Sequence, residues 1–237
     1  MTRFIAVAVL LYFAVTLPGQ DRKATAPQQT PFINENTVKE ALREYQAALV
    51  ITTLPDGPTY CYRQQLCEEP LSPCSTFKIA NLCCAVENGI IGSADDILPW
   101  DGKKRVIAAW NRDLPVRQAM AVSAVPHFQA LATRIGTTRM QQFLDRIHYG
   151  NRDISSGITS FWLDGSLRIS ARQQADVLTR ILTGELSLQP ATITILKQSL
   201  FRAAGKKGRL YGKTGTMADT PTAAPSLGWY VGWIEHD

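Results

Sequence analysis

A chain of 237 residues with 45% hydrophobic and 19% charged residues has an ordinary globular composition, long enough for one large core or two small lobes. No segment is low in complexity and no period recurs, which argues against a solenoid or fibrous protein. The net charge is +5, but the densest basic run, Lys206-Lys207-Gly208-Arg209, is short and flanked by glycine. It reads as a solvated turn, so no nucleic-acid partner is expected.

The chain opens with Arg3 and an apolar run from Phe4 to Leu17, broken by Pro18-Gly19. The run is short of the ~20 residues of a membrane span and fits a secretory signal. Ala24-Thr25-Ala26 offers a small-residue cleavage site, so residues 1–26 are expected to be a signal peptide and 27–237 the folded domain. An uncleaved anchor is the alternative. Removal of residues 1–26 takes away a charge of +2 and leaves +3. Export implies a periplasmic protein without stable membrane association once processed.

Asn36–Tyr45 carries Val38, Leu42 and Tyr45 at helical spacing. Ala48–Thr53 and Thr59–Arg63 read as two strands around the turn residues Leu54–Pro58. Export permits disulfides, and Cys61 and Cys67, flanking a polar stretch, are the favoured pair. An odd total of five cysteines leaves at least one free. Cys83 and Cys84 lie inside a helix expected from Ile79 to Asn88 and read as packed thiols. No cysteine has metal-ligand spacing and the three histidines are scattered, so zinc hydrolysis is not expected.

Beyond a region of short helices and loops from Ile97 to Val122, Thr137 or Thr138 is placed to cap a helix with Met140, Phe143, Leu144 and Ile147 on one face. Ser170 and Gln173 form a capping box for a helix through Leu182, with Gly184 past its end. Strand patterns return at Arg209–Thr214 and Leu227–Ile234. Strands at both ends and helices between them predict an α+β fold, not an alternating β-α-β one.

The chemistry is concentrated in four short motifs. In Ser75-Thr76-Phe77-Lys78 a hydroxyl and an amine share one helix face, the spacing a lysine needs to deprotonate a serine. Ser123-Ala124-Val125 supplies a second hydroxyl, Tyr149-Gly150-Asn151 opens a loop, and Lys213-Thr214-Gly215 ends a strand. Taken singly each has a plain reading as a cap, a turn or a strand end, and Ser-x-x-Lys arises about once by chance in a chain of this length.

In this order and at these intervals, the four motifs resemble those of the class D serine β-lactamases. Phe161-Trp162-Leu163-Asp164-Gly165 and Gly228-Trp229-Tyr230-Val231-Gly232-Trp233 are similar to that family as well, and the resemblance runs from about Ala48 to the last residue. It implies a β-lactamase/transpeptidase-like fold, an antiparallel sheet built from the chain ends with a helical region inserted. It also implies a small β-lactam substrate opened through a serine acyl-enzyme. Ser75, Lys78, Ser123 and Lys213 take the catalytic positions. Val125, Trp162, Leu163, Thr214, Gly215 and Thr216 take those lining the substrate, and the backbone N–H groups of Ser75 and Thr216 form the oxyanion hole. No metal or separate cofactor is implied. In the family the lysine matching Lys78 is carboxylated by carbon dioxide and steadied by a tryptophan, here Trp162.

Two features depart from the family. Thr216 stands where a bulkier aromatic is common. Family members also continue beyond the position of Asp237 through a strand that lies between the first strand and the Trp229 strand. The expectation is therefore a domain incomplete at its C-terminus, with that central position open and the family's carboxylate-binding arginine lost. The alternatives are a penicillin-sensing domain that acylates without turnover, a transpeptidase, and a truncated, inactive enzyme. Sensors usually carry asparagine at the third position of the second motif, where this chain has Val125.

Overall fold

The computed structural model describes residues 3–11, 34–43, 45–217 and 226–236, and for 3–11 the backbone alone. Ala24-Thr25-Ala26 lies outside the described residues. The elements begin with β1 (Arg3–Leu11), α1 (Glu35–Ala41), β2 (Gln46–Leu54), β3 (Thr59–Tyr62) and α2 (Gln64–Glu68). A 3-10 turn (Cys74–Phe77) leads into α3 (Lys78–Glu87), followed by the short pair β4 (Ile97–Leu98) and β5 (Leu114–Pro115). The helical region continues through α4 (Val116–Ala121), α5 (Val125–Ile135), α6 (Thr137–Ile147), α7 (Ala171–Leu182) and α8 (Pro190–Leu200). The chain returns to the sheet as β6 (Phe201–Gly205), β7 (Gly208–Met217) and β8 (Leu227–Glu235).

The main sheet has the order β3-β2-β1-β8-β7-β6. Strands from both chain ends thus meet in one sheet, as the sequence pattern implies. The β2–β3, β7–β8 and β6–β7 pairs are antiparallel. The difference lies in the middle. β1 pairs along its whole length with β2 on one side and β8 on the other, and runs parallel to both. The position expected to stand open between the first strand and the Trp229 strand is therefore held by the apolar N-terminal run. β2 and β8 point the same way, and a strand between them finds a ladder of backbone donors and acceptors on each side.

Helices pack against the sheet. α7 lies across β1 and β2, and the 3-10 turn lies against β7. α3 is buried on all sides from Lys78 to Val86 and packs against α5, α6 and α8. α7 has the full capping box of Ser170 and Gln173. α6 differs from expectation. Its cap is Gly136 at φ +83°, so Thr137 is already the first helical residue and no threonine hydroxyl caps it. Cys61 and Cys67 form the disulfide, and Cys74, Cys83 and Cys84 are buried free thiols. No helix among the described residues is long and apolar enough to cross a membrane.

A central strand with two partners is the one a proline damages most, because it has no N–H for the ladder. Val7→Pro is expected to lower the melting temperature by roughly 5 °C or more, the size expected from a lost and unsatisfied buried backbone bond. An unchanged, cooperative melt would show that β1 contributes nothing to the sheet.

Candidate active site

The site begins with a turn. Pro73 caps it, Cys74 takes a left-handed φ of +50°, and Ser75 follows inside the 3-10 turn instead of on α3 itself. In a 3-10 helix residues i and i+3 eclipse, closer than the stagger of an α-helix. Ser75 and Lys78 therefore meet directly, with Lys78 Nζ donating to Ser75 Oγ at 2.8 Å. Lys78 is wholly buried, and Ser75 nearly so at 9% exposure.

The surroundings of Lys78 are aromatic. Its Nζ stands 5.5 Å from the centre of the Phe128 ring. Phe77, next to it in sequence, stacks on Trp162 at 5.3 Å and meets Phe161 edge-on at 4.9 Å. Burial in this apolar shell pushes the Lys78 ammonium well below its ordinary pKa, and the nearby charge of Lys213 pushes it further down. The Trp162 indole N–H is buried and finds no acceptor among the described residues. An unpaired buried donor is costly, and this one belongs to the ring that stacks on Phe77, the residue before Lys78.

Ser123 and Lys213 form the second pair. Ser123 sits just before α5 with φ +54°, an uncommon conformation for a side chain other than glycine's. Lys213 reaches it from β7, donating to Ser123 Oγ at 2.9 Å and to its neighbour's carbonyl, Thr214 O, at 2.7 Å. Lys213 is also buried, and its pKa falls to about 7, through desolvation first and the positive charge of Arg202 second. Sequence reasoning did not single out Arg202. It sits on β6 at a register shift and donates through Nε to Gly212 O, the residue before Lys213, at 2.8 Å. No motif marks it, because a lone arginine in an edge strand reads as surface.

β7 is pressed against the nucleophile's turn. A Cβ on Gly215 would stand 3.0 Å from Pro73 O and 3.1 Å from Thr76 N, which accounts for glycine there. β6 stops pairing at Phe201 and Tyr211, so from Gly212 onward no strand covers the outer edge of β7 among the described residues. Thr214 and Thr216 lie exposed on that segment. Val125 is half-buried at the start of α5. The Leu163 and Trp162 carbonyls both accept from Ser72 Oγ, and Trp229 Nε1 donates to Ser72 O at 2.8 Å. Ser72, unremarked in the sequence, thus ties the Trp162 loop and β8 to the turn that carries Ser75. Of the ten residues singled out from the sequence, Ser75 with Lys78 and Ser123 with Lys213 form the two hydrogen-bonded pairs, Trp162, Leu163 and Gly215 meet the segment that carries Ser75, and Val125, Thr214 and Thr216 lie close to these in sequence. No cluster of three metal-binding side chains occurs among the described residues.

The family model of the penicillin-binding protein transpeptidase domain matches residues 13–237. OXA-10 β-lactamase of Pseudomonas aeruginosa is 41% identical over 165 residues, 70% of this chain and 62% of that protein. The solved structure of the class D β-lactamase BAT-2 superposes with a TM-score of 0.71 at 35% identity, covering 76% of this chain and 75% of that one. The C-terminal domain of the Bacillus licheniformis BlaR penicillin-receptor superposes with a TM-score of 0.69 at 31% identity, covering 75% of this chain and 71% of that one. The chain belongs to the penicillin-binding transpeptidase family, on its class D β-lactamase branch. It spans about 62% of the length of OXA-10.

Because an adjacent cation disfavours a lysine's charged form, removing Arg202 should raise the Lys213 pKa from about 7. In Arg202→Gln the Lys213 ammonium should persist to higher pH, read by NMR titration of isotopically labelled lysine side chains. An unmoved Lys213 titration would show that Arg202 exerts no such influence.

Proposed function

We propose that the protein hydrolyses β-lactam antibiotics through an acyl-enzyme on Ser75. The observation that carries the reading is Lys78: a fully buried amine, driven toward its neutral form, at hydrogen-bond distance from a serine hydroxyl. A serine is a weak nucleophile until a base takes its proton, and a neutral lysine is such a base. Ser75 Oγ attacks the lactam carbonyl as its proton leaves toward Lys78. The carbonyl oxygen becomes an anion, for which the backbone N–H groups of Ser75 and Thr216 are the candidate donors.

When the C–N bond breaks, the ring nitrogen needs a proton. Ser123 is the candidate hydroxyl to deliver it, taking a replacement proton from the Lys213 ammonium that donates to it, while the proton held at Lys78 returns to solvent or Lys213 before the next turnover. Lys213 as an ammonium also attracts the carboxylate that β-lactams carry, while Thr214 and Thr216 line the open edge of β7. Water then hydrolyses the Ser75 ester and restores the hydroxyl.

Carboxylation of Lys78 by carbon dioxide fits the residues present. Only a neutral amine accepts carbon dioxide, and Trp162 Nε1 offers a buried donor without a partner among the described residues. Such a carbamate would supply a carboxylate base for both half-reactions, held by Trp162.

The likeness to a penicillin receptor supports a second reading, acylation without turnover. Val125 in the second motif favours hydrolysis. A fluorescent penicillin should label the wild-type chain but not Ser75→Ala, and the wild-type label should decay as the ester is hydrolysed. Persistent labelling of Ser75→Ala would contradict the nucleophile. A stable label of one equivalent on the wild type would establish the receptor reading instead.

A further inference from the structure

Tyr149-Gly150-Asn151 takes no part in the chemistry above, yet its tyrosine is buried to 2% exposure against the nucleophile's neighbour. The Tyr149 ring meets Phe77 edge-on at 5.6 Å. Its hydroxyl donates to Gln174 Oε1 on α7 at 3.2 Å, and Gln174 Nε2 donates to Thr76 Oγ1 at 2.8 Å. Thr76 in turn donates to Pro73 O at 2.6 Å. Gln174 and Thr76 are themselves buried.

The direction of this chain is fixed by its inventory. Thr76 has one hydrogen, and Pro73 O can only accept. Thr76 must therefore accept from Gln174, which sets the amide orientation and makes its oxygen the acceptor for Tyr149. Pro73 caps the turn that holds Ser75, and Thr76 is the residue after it. The Thr76 backbone N–H also donates to Pro73 O, at 3.2 Å. Both bonds close the turn that points Ser75 Oγ at Lys78.

We propose that Gln174 is a positioning residue for Ser75. By donating to Thr76 it commits the threonine hydroxyl to Pro73 O, and so holds the 3-10 turn in the geometry that brings the hydroxyl to the lysine. Tyr149 orients Gln174 from behind. Fully satisfied buried networks rigidify what they touch, and a group held within a fraction of an ångström reacts faster than one that is not. This inference rests on Ser75 as the acylated residue.

The test is the acylation rate under single-turnover conditions, normalised to titrated sites so that unfolded protein does not count. Val177, Leu178 and Val231 line a small cavity with Gln174, a setting in which methionine fits. Gln174→Met should lower the saturating acylation rate about tenfold, the effect of one neutral hydrogen bond lost where geometry governs the barrier. The half-saturating penicillin concentration should stay within about twofold. Thr76→Val should lose as much, the double variant should lose no more than either single one, and Tyr149→Phe should lose less than threefold. A wild-type rate in Gln174→Met, or losses that multiply in the double variant, would overturn the proposal. A merely structural role would lower the number of titratable sites and leave their rate unchanged. If Gln174→Met does not fold, Thr76→Val against Tyr149→Phe decides the matter in the same way. Labelling of Ser75→Ala would defeat the nucleophile assignment itself, whereas Ser75-specific labelling with an unaffected Gln174→Met rate defeats only this inference.

Discussion

Everything at this site depends on one unfavourable act, the burial of the Lys78 amine. A lysine in water is charged and useless as a base, and each unit by which its pKa falls costs about 1.4 kcal/mol. The protein imposes that cost with an apolar shell. Phe77, Phe161 and Trp162 pack on one another at 4.9–5.3 Å, and Phe128 covers the Nζ itself. What the shell stabilises is the neutral form, since desolvation penalises charge far more than it penalises an amine with one good hydrogen-bond partner. Ser75 is that partner.

The remaining architecture serves this pair by bringing distant segments to it. β7 presses against the nucleophile's turn because Gly215 has no side chain. The same strand delivers Lys213 to Ser123, and from there its charge pushes the Lys78 ammonium further down. Behind the turn, Tyr149, Gln174 and Thr76 form a second, polar support. A dry aromatic front and a hydrogen-bonded rear answer different needs, the first setting protonation and the second setting position. The sheet beneath depends on β1, which pairs with β2 and β8 at its centre.

The catalytic positions were legible because each has a local signature. Ser-x-x-Lys survives translation from sequence to space through i,i+3 geometry, and Lys213-Thr214-Gly215 through strand pattern. Even there the sequence implied an α-helical face, and the structure has a 3-10 turn, whose tighter winding explains the 2.8 Å contact. Gln174 was not legible. It sits beside Gln173, whose capping role is local, while its own partners lie 25 and 98 residues away. Arg202 was hidden because a lone arginine on an edge strand carries no motif, and Ser72 because its partners at Trp162 and Trp229 are joined only by folding. The apolar run at the N-terminus read as a leader or an anchor, because a short uncharged apolar run looks alike in sequence whether it is a leader, an anchor or a buried strand. The cap of α6 was expected at Thr137 or Thr138, one or two residues late, since Gly136 lacks the side chain that marks a cap.

As proposed above, burial keeps the free Lys78 amine neutral, and in that form it takes up carbon dioxide to become an anionic carbamate. Carbon-13 NMR of the protein equilibrated with labelled bicarbonate tests it most directly. A single carbamate resonance should appear, vanish in Lys78→Ala, and weaken in Trp162→Phe, where the buried indole donor is gone. A spectrum without that resonance, or one unchanged in Lys78→Ala, would contradict the account.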